Sequence, residues 1–115
     1  MQTQDVSLVL DLQQLKDITL DDQELMREVL MALIDDTSQQ LGLLDAAIRQ
    51  QDSAGCRRLA HYCKGACANV GANRAAAVMK QMEQDAARSA FGDCSAGLET
   101  LVEELEHLKH EAAAL

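Results

Sequence analysis

Apolar residues recur along the chain at steps of three and four positions, which is the spacing of one face of an α-helix. A short first helix is predicted over about residues 7–16. The second helix is much longer, since Asp21 and Glu24 form a helix-start signal and the pattern continues to about residue 50. The positions expected to face inward are Leu8, Leu12 and Leu15, then Leu25, Met26, Val29, Leu30, Leu33, Ile34, Leu41, Leu44 and Ile48.

Turn signals divide the rest of the chain into three more helices. Asp52 and Ser53 can cap a third helix over about residues 53–70, which ends at Gly71. Asn73 can cap the fourth helix. A break at Phe91, Gly92 and Asp93 precedes the fifth. Their predicted inward residues are Val78, Met79, Met82 and Ala86, then Leu98, Leu101, Val102, Leu105 and Leu108.

Short connections between long amphipathic helices imply that consecutive helices are antiparallel neighbours. We therefore predict an all-α fold, an up-down-up-down antiparallel four-helix bundle with a short N-terminal helix covering one end. The length of 115 residues suits one domain with one core, over residues 1–115. The absence of proline and the aromatic content of 2% fit a helical core made of aliphatic residues.

Composition and charge narrow the classes of function. A formal net charge of −9 argues against nucleic-acid binding, which requires a basic surface. No stretch has the length and apolar character of a membrane span, and the first residues do not form a signal peptide. We expect a cytoplasmic monomer in which the four cysteines (Cys56, Cys63, Cys67 and Cys94) stay reduced.

The third helix places a histidine opposite its apolar stripe. At 100° per residue, Cys56, Leu59, Ala60, Cys63, Ala66, Cys67 and Val70 share one side. His61 points the other way, with Gly65 one turn on and the cations Arg57, Arg58 and Lys64 around it. A glycine inside a helix costs about 1 kcal/mol relative to alanine, and no core packing requires it on an exposed face. The pattern indicates an imidazole that a partner approaches and that carries an anion.

The same helix carries a recognisable motif. It contains Ala60-His61-x-x-Lys64-Gly65, followed by Asn69-Val70-Gly71-Ala72. This run resembles the AHxLKGxxxxxGA signature of the histidine phosphotransfer (HPt) domain family. The resemblance extends over about residues 8–108, because the flanking helices fall where that family has them.

The resemblance implies a function. His61 would accept a phosphoryl group from an aspartyl phosphate on a receiver domain and pass it to another receiver. The expected partners are the receiver domains of a hybrid histidine kinase and of a response regulator. Such a chain is a phosphocarrier and not an enzyme; it binds no metal or other cofactor, and Mg²⁺ belongs to the partner's receiver domain.

The resemblance also assigns roles to individual residues. Lys64 would stabilise the phosphoryl group, and Gly65 and Ala68 would leave room for the partner. Arg57, Arg58 and Tyr62 would extend the docking surface. A polar residue on the next helix would hold the unreactive ring nitrogen, with Glu83 as the first candidate and Gln84 as the second. Cys63 and Cys67 depart from the family's usual residues, and both are expected to face inward.

Other interpretations stay open at the level of the sequence. The chain could be a helical module that docks receiver domains without being phosphorylated. Three cysteines on one helix face could instead form a metal or redox sensor, although the paired CxxC spacing of a zinc site is absent. Glu104 and His107 match half of a di-iron motif, whose second copy is missing. We expect His107, His110 and the acidic pair at 103–104 to be solvated.

Overall fold

The computed structural model describes residues 8–115, and within that range every regular element is an α-helix. The helices are α1 (Leu12–Ile18), α2 (Gln23–Arg49), α3 (Ser53–Val70), α4 (Asn73–Ala87) and α5 (Phe91–Ala113). Helices α2 and α4 each pack against both α3 and α5, and α1 lies against α2 and α3. This arrangement confirms the predicted four-helix bundle with a short N-terminal helix. No helix between residues 8 and 115 has both the length and the apolar character needed to cross a membrane.

The core consists of aliphatic, methionine, alanine and cysteine side chains. Its largest fully buried members are Leu15, Leu30, Ile34, Leu44, Met79, Leu101 and Leu108. All four cysteines are buried and free, which confirms that Cys63 and Cys67 face inward. Leu25 and Val102 are exposed, contrary to prediction, because they lie at the margins of their helices' apolar stripes.

Helix α1 begins later than the sequence pattern suggests. Asp11 is its N-cap and accepts a hydrogen bond from the backbone N–H of Gln14 at 3.1 Å. Residues 8–10 therefore precede the helix, and the three- and four-residue spacing does not apply to them. Consequently Leu8 is exposed and Leu10 is buried, contrary to prediction. Leu12, the first residue of the helix, is also exposed, whereas Leu15 is buried as predicted. Residue 7, the first of the predicted helix, lies outside the described residues.

Two other predicted starts are wrong. Helix α2 is capped by Asp22, whose carboxylate accepts from the backbone N–H of Leu25 at 3.0 Å, while Asp21 adopts a left-handed conformation. Asn73 does not cap α4. The N-cap is Ala72, and Asn73 is the first helical residue, only 2% exposed.

The predicted break at 91–93 lies a few residues too late. The chain turns at Ser89, which has a φ of 56°, and α5 already begins at Phe91. Gly92 does not break the chain. It lies within the first turn of α5, at an exposed position with open space around it.

Gly71 ends α3 and determines where α1 docks. Its φ of 89° lies in the left-handed region, which favours glycine, and a Cβ there would approach the Asp11 carbonyl oxygen to 2.7 Å. The Asp11 N–H donates to the Gly71 carbonyl at 2.8 Å. The side chain of Gln14 donates to the Ala68 carbonyl at 2.6 Å. These contacts place α1 over the last turn of α3.

Candidate functional site

Helix α3 separates its buried and exposed residues sharply around His61. The neighbouring Ala60 and Cys63 are almost completely buried, whereas the His61 side chain is 69% exposed. Core packing on one side of α3 thus fixes the helix and holds the imidazole outward on the other.

A single carboxylate from α4 contacts both candidate reactive residues. Glu83 Oε2 lies 3.0 Å from Nδ1 of His61. The other oxygen, Oε1, accepts a hydrogen bond from Lys64 Nζ at 2.8 Å. Of the two orienting candidates, Glu83 therefore makes the contact, and Gln84 is the exposed residue beside it. The orienting role of Glu83 stays a prediction, but Glu83 is in contact with both His61 and Lys64.

The charge on Glu83 determines the form of the ring. The hydrogen bond from Lys64 holds the pKa of the Glu83 carboxyl below its usual range, and the contact with His61 lowers it further, although partial burial opposes both. Glu83 is consequently ionised at neutral pH and can only accept hydrogen bonds. In its neutral form the ring then carries its proton on Nδ1, facing Glu83, and the lone pair lies on Nε2 of the exposed side chain.

The surface next to His61 is open because the residues there, Gly65 and Ala68, have little or no side chain. A Cβ built at Gly65 would meet no heavy atom of the surrounding structure within 4 Å. Ala68, one turn further along α3, is half-buried. Both residues border a groove of about 590 Å³ between α3 and α4. A partner placed over His61 would therefore find open space along α3.

Two arginines contribute positive charge on the other side of the ring. Arg57 and Arg58 line a shallow depression of about 290 Å³ together with His61 and Glu83. Both are exposed, and neither forms an ion pair with another residue in the part of the chain that the structure describes. Their charge is available to a negatively charged ligand or partner.

Tyr62 faces a different neighbour from His61. Its hydroxyl donates to Oδ2 of Asp36 on α2 at 2.9 Å, and this hydrogen bond raises the pKa of the phenol. About half of the side chain is exposed. Tyr62 thus joins α2 to α3 and also presents part of its ring to solvent.

Sequence reasoning missed Lys80, which lines the α3/α4 groove with Lys64 and Gln84. The missed signal is its spacing, since Lys80 lies three residues before Glu83 and so projects from the same side of α4.

A second missed feature lies between α4 and α5. Glu104 is 7% exposed, not solvated as predicted, because Arg74 Nη2 donates to its Oε2 at 2.7 Å. His107 is about half exposed, with Nδ1 3.7 Å from Oε1 of Glu104, and His110 is exposed as expected. Among residues 8–115, no three His, Cys, Asp or Glu side chains are grouped so that they could hold a metal ion.

Comparisons with known proteins identify the family and the fold of the chain. The family model described as "Hpt domain" matches residues 28–111. The chain is also similar to a crystal structure of histidine-containing phosphotransfer protein B (HptB) from Pseudomonas aeruginosa PAO1. The two are 25% identical with a TM-score of 0.82, and the match covers 93% of this chain and 96% of the other. No curated protein sequence matches the chain. Since the family model matches well over half of its length, the chain belongs to the Hpt domain family.

Proposed function

We propose that the chain relays a phosphoryl group through His61 between the aspartates of receiver domains in a two-component phosphorelay. One observation carries the proposal: the exposed His61 ring is held through Nδ1 by Glu83 at 3.0 Å, which leaves Nε2 as the nucleophile. Histidine suits this role because it is one of the side chains that form covalent intermediates as nucleophiles.

The transfer requires little of the carrier beyond alignment and charge. Nε2 of His61 attacks the phosphorus of an aspartyl phosphate, a P–N bond forms, and the P–O bond breaks with its electron pair returning to the aspartate. The Nδ1 proton stays on the ring, where Glu83 stabilises the positive charge that develops. The reverse step, onto a second receiver, restores the starting ring. Phosphoryl transfer depends mainly on positioning and electrostatics, which these residues supply.

Lys64 supports the phosphorylated state. It lies one turn from His61 on α3, within reach of a group on the ring, and is at present held by Glu83 at 2.8 Å. A phosphoryl group carries nearly two negative charges at neutral pH and would attract the same ammonium group. We propose that the chain acts as a cytoplasmic, monomeric phosphocarrier without a cofactor of its own, and that Mg²⁺ belongs to the receiver domain.

Phosphoryl transfer from labelled receivers tests the proposal. A panel of receiver domains phosphorylated with labelled acetyl phosphate is incubated with the chain, and we expect acid-labile label on it. His61→Gln should abolish the label. His110→Gln is the matched control, because it removes another exposed histidine on α5 and should leave the label unchanged.

Two results would overturn the phosphocarrier function. One is the absence of label on the unchanged protein with every receiver. The other is label that survives His61→Gln. Stoichiometric binding of a receiver without any label would favour the docking module instead.

A further inference from the structure

The α3/α4 groove is a second surface feature continuous with the His61 site. With a volume of about 590 Å³ it is larger than the depression at His61. Lys64 and Gly65 belong both to this groove and to the surroundings of His61. A macromolecule seated over His61 therefore extends naturally into the groove. The amide side chains that line the groove are those of Asn73, Gln81 and Gln84.

The groove is cationic and rich in side-chain amides. Lys64 is already held by Glu83, but Lys80 is exposed and forms no ion pair with any residue between 8 and 115. Lys80 also lines a smaller depression with Arg57, Lys64 and Glu83. In a chain of net charge −9, this places uncompensated positive charge beside His61.

The shape of the groove suits an inserted segment. Small residues from both helices, among them Gly65, Ala68, Ala76 and Ala77, leave the space open. At one end lies Asn73, whose side-chain Nδ2 and Oδ1 have no hydrogen-bond partner among the described residues. A buried amide without partners costs free energy. The groove thus combines open volume with an unpaired cation, and a buried amide without partners lies at its end.

We propose that the α3/α4 groove receives an acidic segment of the receiver domain that docks at His61, with Lys80 as its main electrostatic contact. The proposal rests on the phosphocarrier function and adds α4 to a docking surface that the sequence confined to α3. Charge complementarity identifies the occupant, since the free cation favours carboxylates over an apolar or basic segment. Lys80 is a docking residue and does not act on the phosphoryl group itself.

The test separates docking from chemistry by using two phosphoryl donors. Phosphoramidate is a small donor that needs no docking surface, whereas a phosphorylated receiver needs one. Lys80→Gln should leave the phosphoramidate rate and the partner-free lifetime of the phosphohistidine unchanged. It should slow transfer from the receiver by about two- to fivefold, the range typical of one exposed ion pair. Lys80→Glu should slow it further, and the dependence of the wild-type rate on salt should weaken in both variants.

Lys109→Gln is the matched control. It makes the same charge change on α5, which does not pack against α3. Equal effects of the substitutions at Lys80 and Lys109 would refute a local contact and indicate a general charge effect. A shortened phosphohistidine lifetime in Lys80→Gln would also refute the docking role, since Lys80 would then act on the phosphoryl group. If phosphoramidate labels the unchanged protein but no receiver exchanges phosphate with it, the phosphocarrier function itself fails.

Discussion

Substitution of Gly65 should raise the stability of the protein while lowering its activity. Gly65 lies in the interior of α3 on its exposed side, and a Cβ there meets nothing within 4 Å. Replacing an exposed helical glycine by alanine raises the free energy of unfolding by about 1 kcal/mol, because the unfolded chain loses conformational freedom. For a domain of this size, the corresponding increase in Tm is about 4 °C. Gly65→Gln should give roughly half of that gain, since glutamine is a weaker helix former than alanine.

Phosphoryl transfer from the receiver should become slower in the same variants of Gly65. The Cβ of residue 65 lies one helical turn from His61, so the long side chain of Gly65→Gln occupies space that the partner needs. A side chain forced into a packed interface costs about 1 to 3 kcal/mol, or roughly 5- to 150-fold in transfer efficiency. Gly65→Ala should cost less, because one methyl group is more easily accommodated. Thermal unfolding and rapid-quench transfer from a phosphorylated receiver measure the two effects separately.

Gly42 provides the matched control. It is also an exposed glycine inside a long helix, α2, and its Cβ position is likewise open. Gly42→Gln should therefore raise Tm as Gly65→Gln does and leave transfer unchanged. A wild-type transfer rate in Gly65→Gln would refute the role of this glycine in docking. A lower Tm in Gly65→Ala would show that the helix needs glycine at this position for a reason other than access.

Three further predictions concern the scaffold and the ring. Burial raises the pKa of the Cys63 thiol to about 12. A thiol reagent at pH 8 should therefore label Cys63 in the native protein about 1000-fold more slowly than in the unfolded chain, and labelling at equal rates would refute the burial of Cys63. The free energy of unfolding should also fall as the pH rises from about 9, where unfolded thiols ionise, to 12. Arg74→Met should lower the free energy of unfolding by about 2 to 3 kcal/mol, because it removes the hydrogen-bonded cation of buried Glu104 and leaves only His107 near that carboxylate, and adding Glu104→Met should restore most of the loss in urea titrations; an additive further loss would contradict this. Nitrogen-15 NMR at pH 8 should show the proton of His61 on Nδ1, and Glu83→Ala should shift it towards Nε2; an unchanged tautomer ratio would remove Glu83 as the orienting group.

The sequence was most informative where burial and periodicity act together. Helix α3 alternates buried and exposed positions regularly, so the orientation of His61 followed from the 100° rotation per residue. Leu8 and Leu10 were misjudged because the same spacing continues through a segment that precedes the helix. The capping hydrogen bond of Asp11 fixes the true start, and spacing alone cannot show which of several polar residues will cap.

Contacts between helices were harder to predict than the faces of single helices. Glu83 and Gln84 differ by 100° around α4, and only the packing of α4 on α3 determines which of them meets His61. The same packing places Lys80 in the groove beside Lys64. The burial of Glu104 could not be predicted from local spacing, because it depends on Arg74, which is 30 residues away in the chain.

In the proposed function, the shared carboxylate would keep the site ordered both without and with a phosphoryl group. In the present state Glu83 accepts hydrogen bonds from His61 and Lys64, so its negative charge is compensated by the lysine. A phosphoryl group on Nε2 lies on the opposite edge of the ring from Glu83, and the hydrogen bond at Nδ1 can persist through the transfer. Lys64 is the group that would respond, because its flexible side chain contacts Glu83 and begins one helical turn from His61. Since all these groups lie outside the cysteine-lined core, the charge can change without introducing a charge into buried packing.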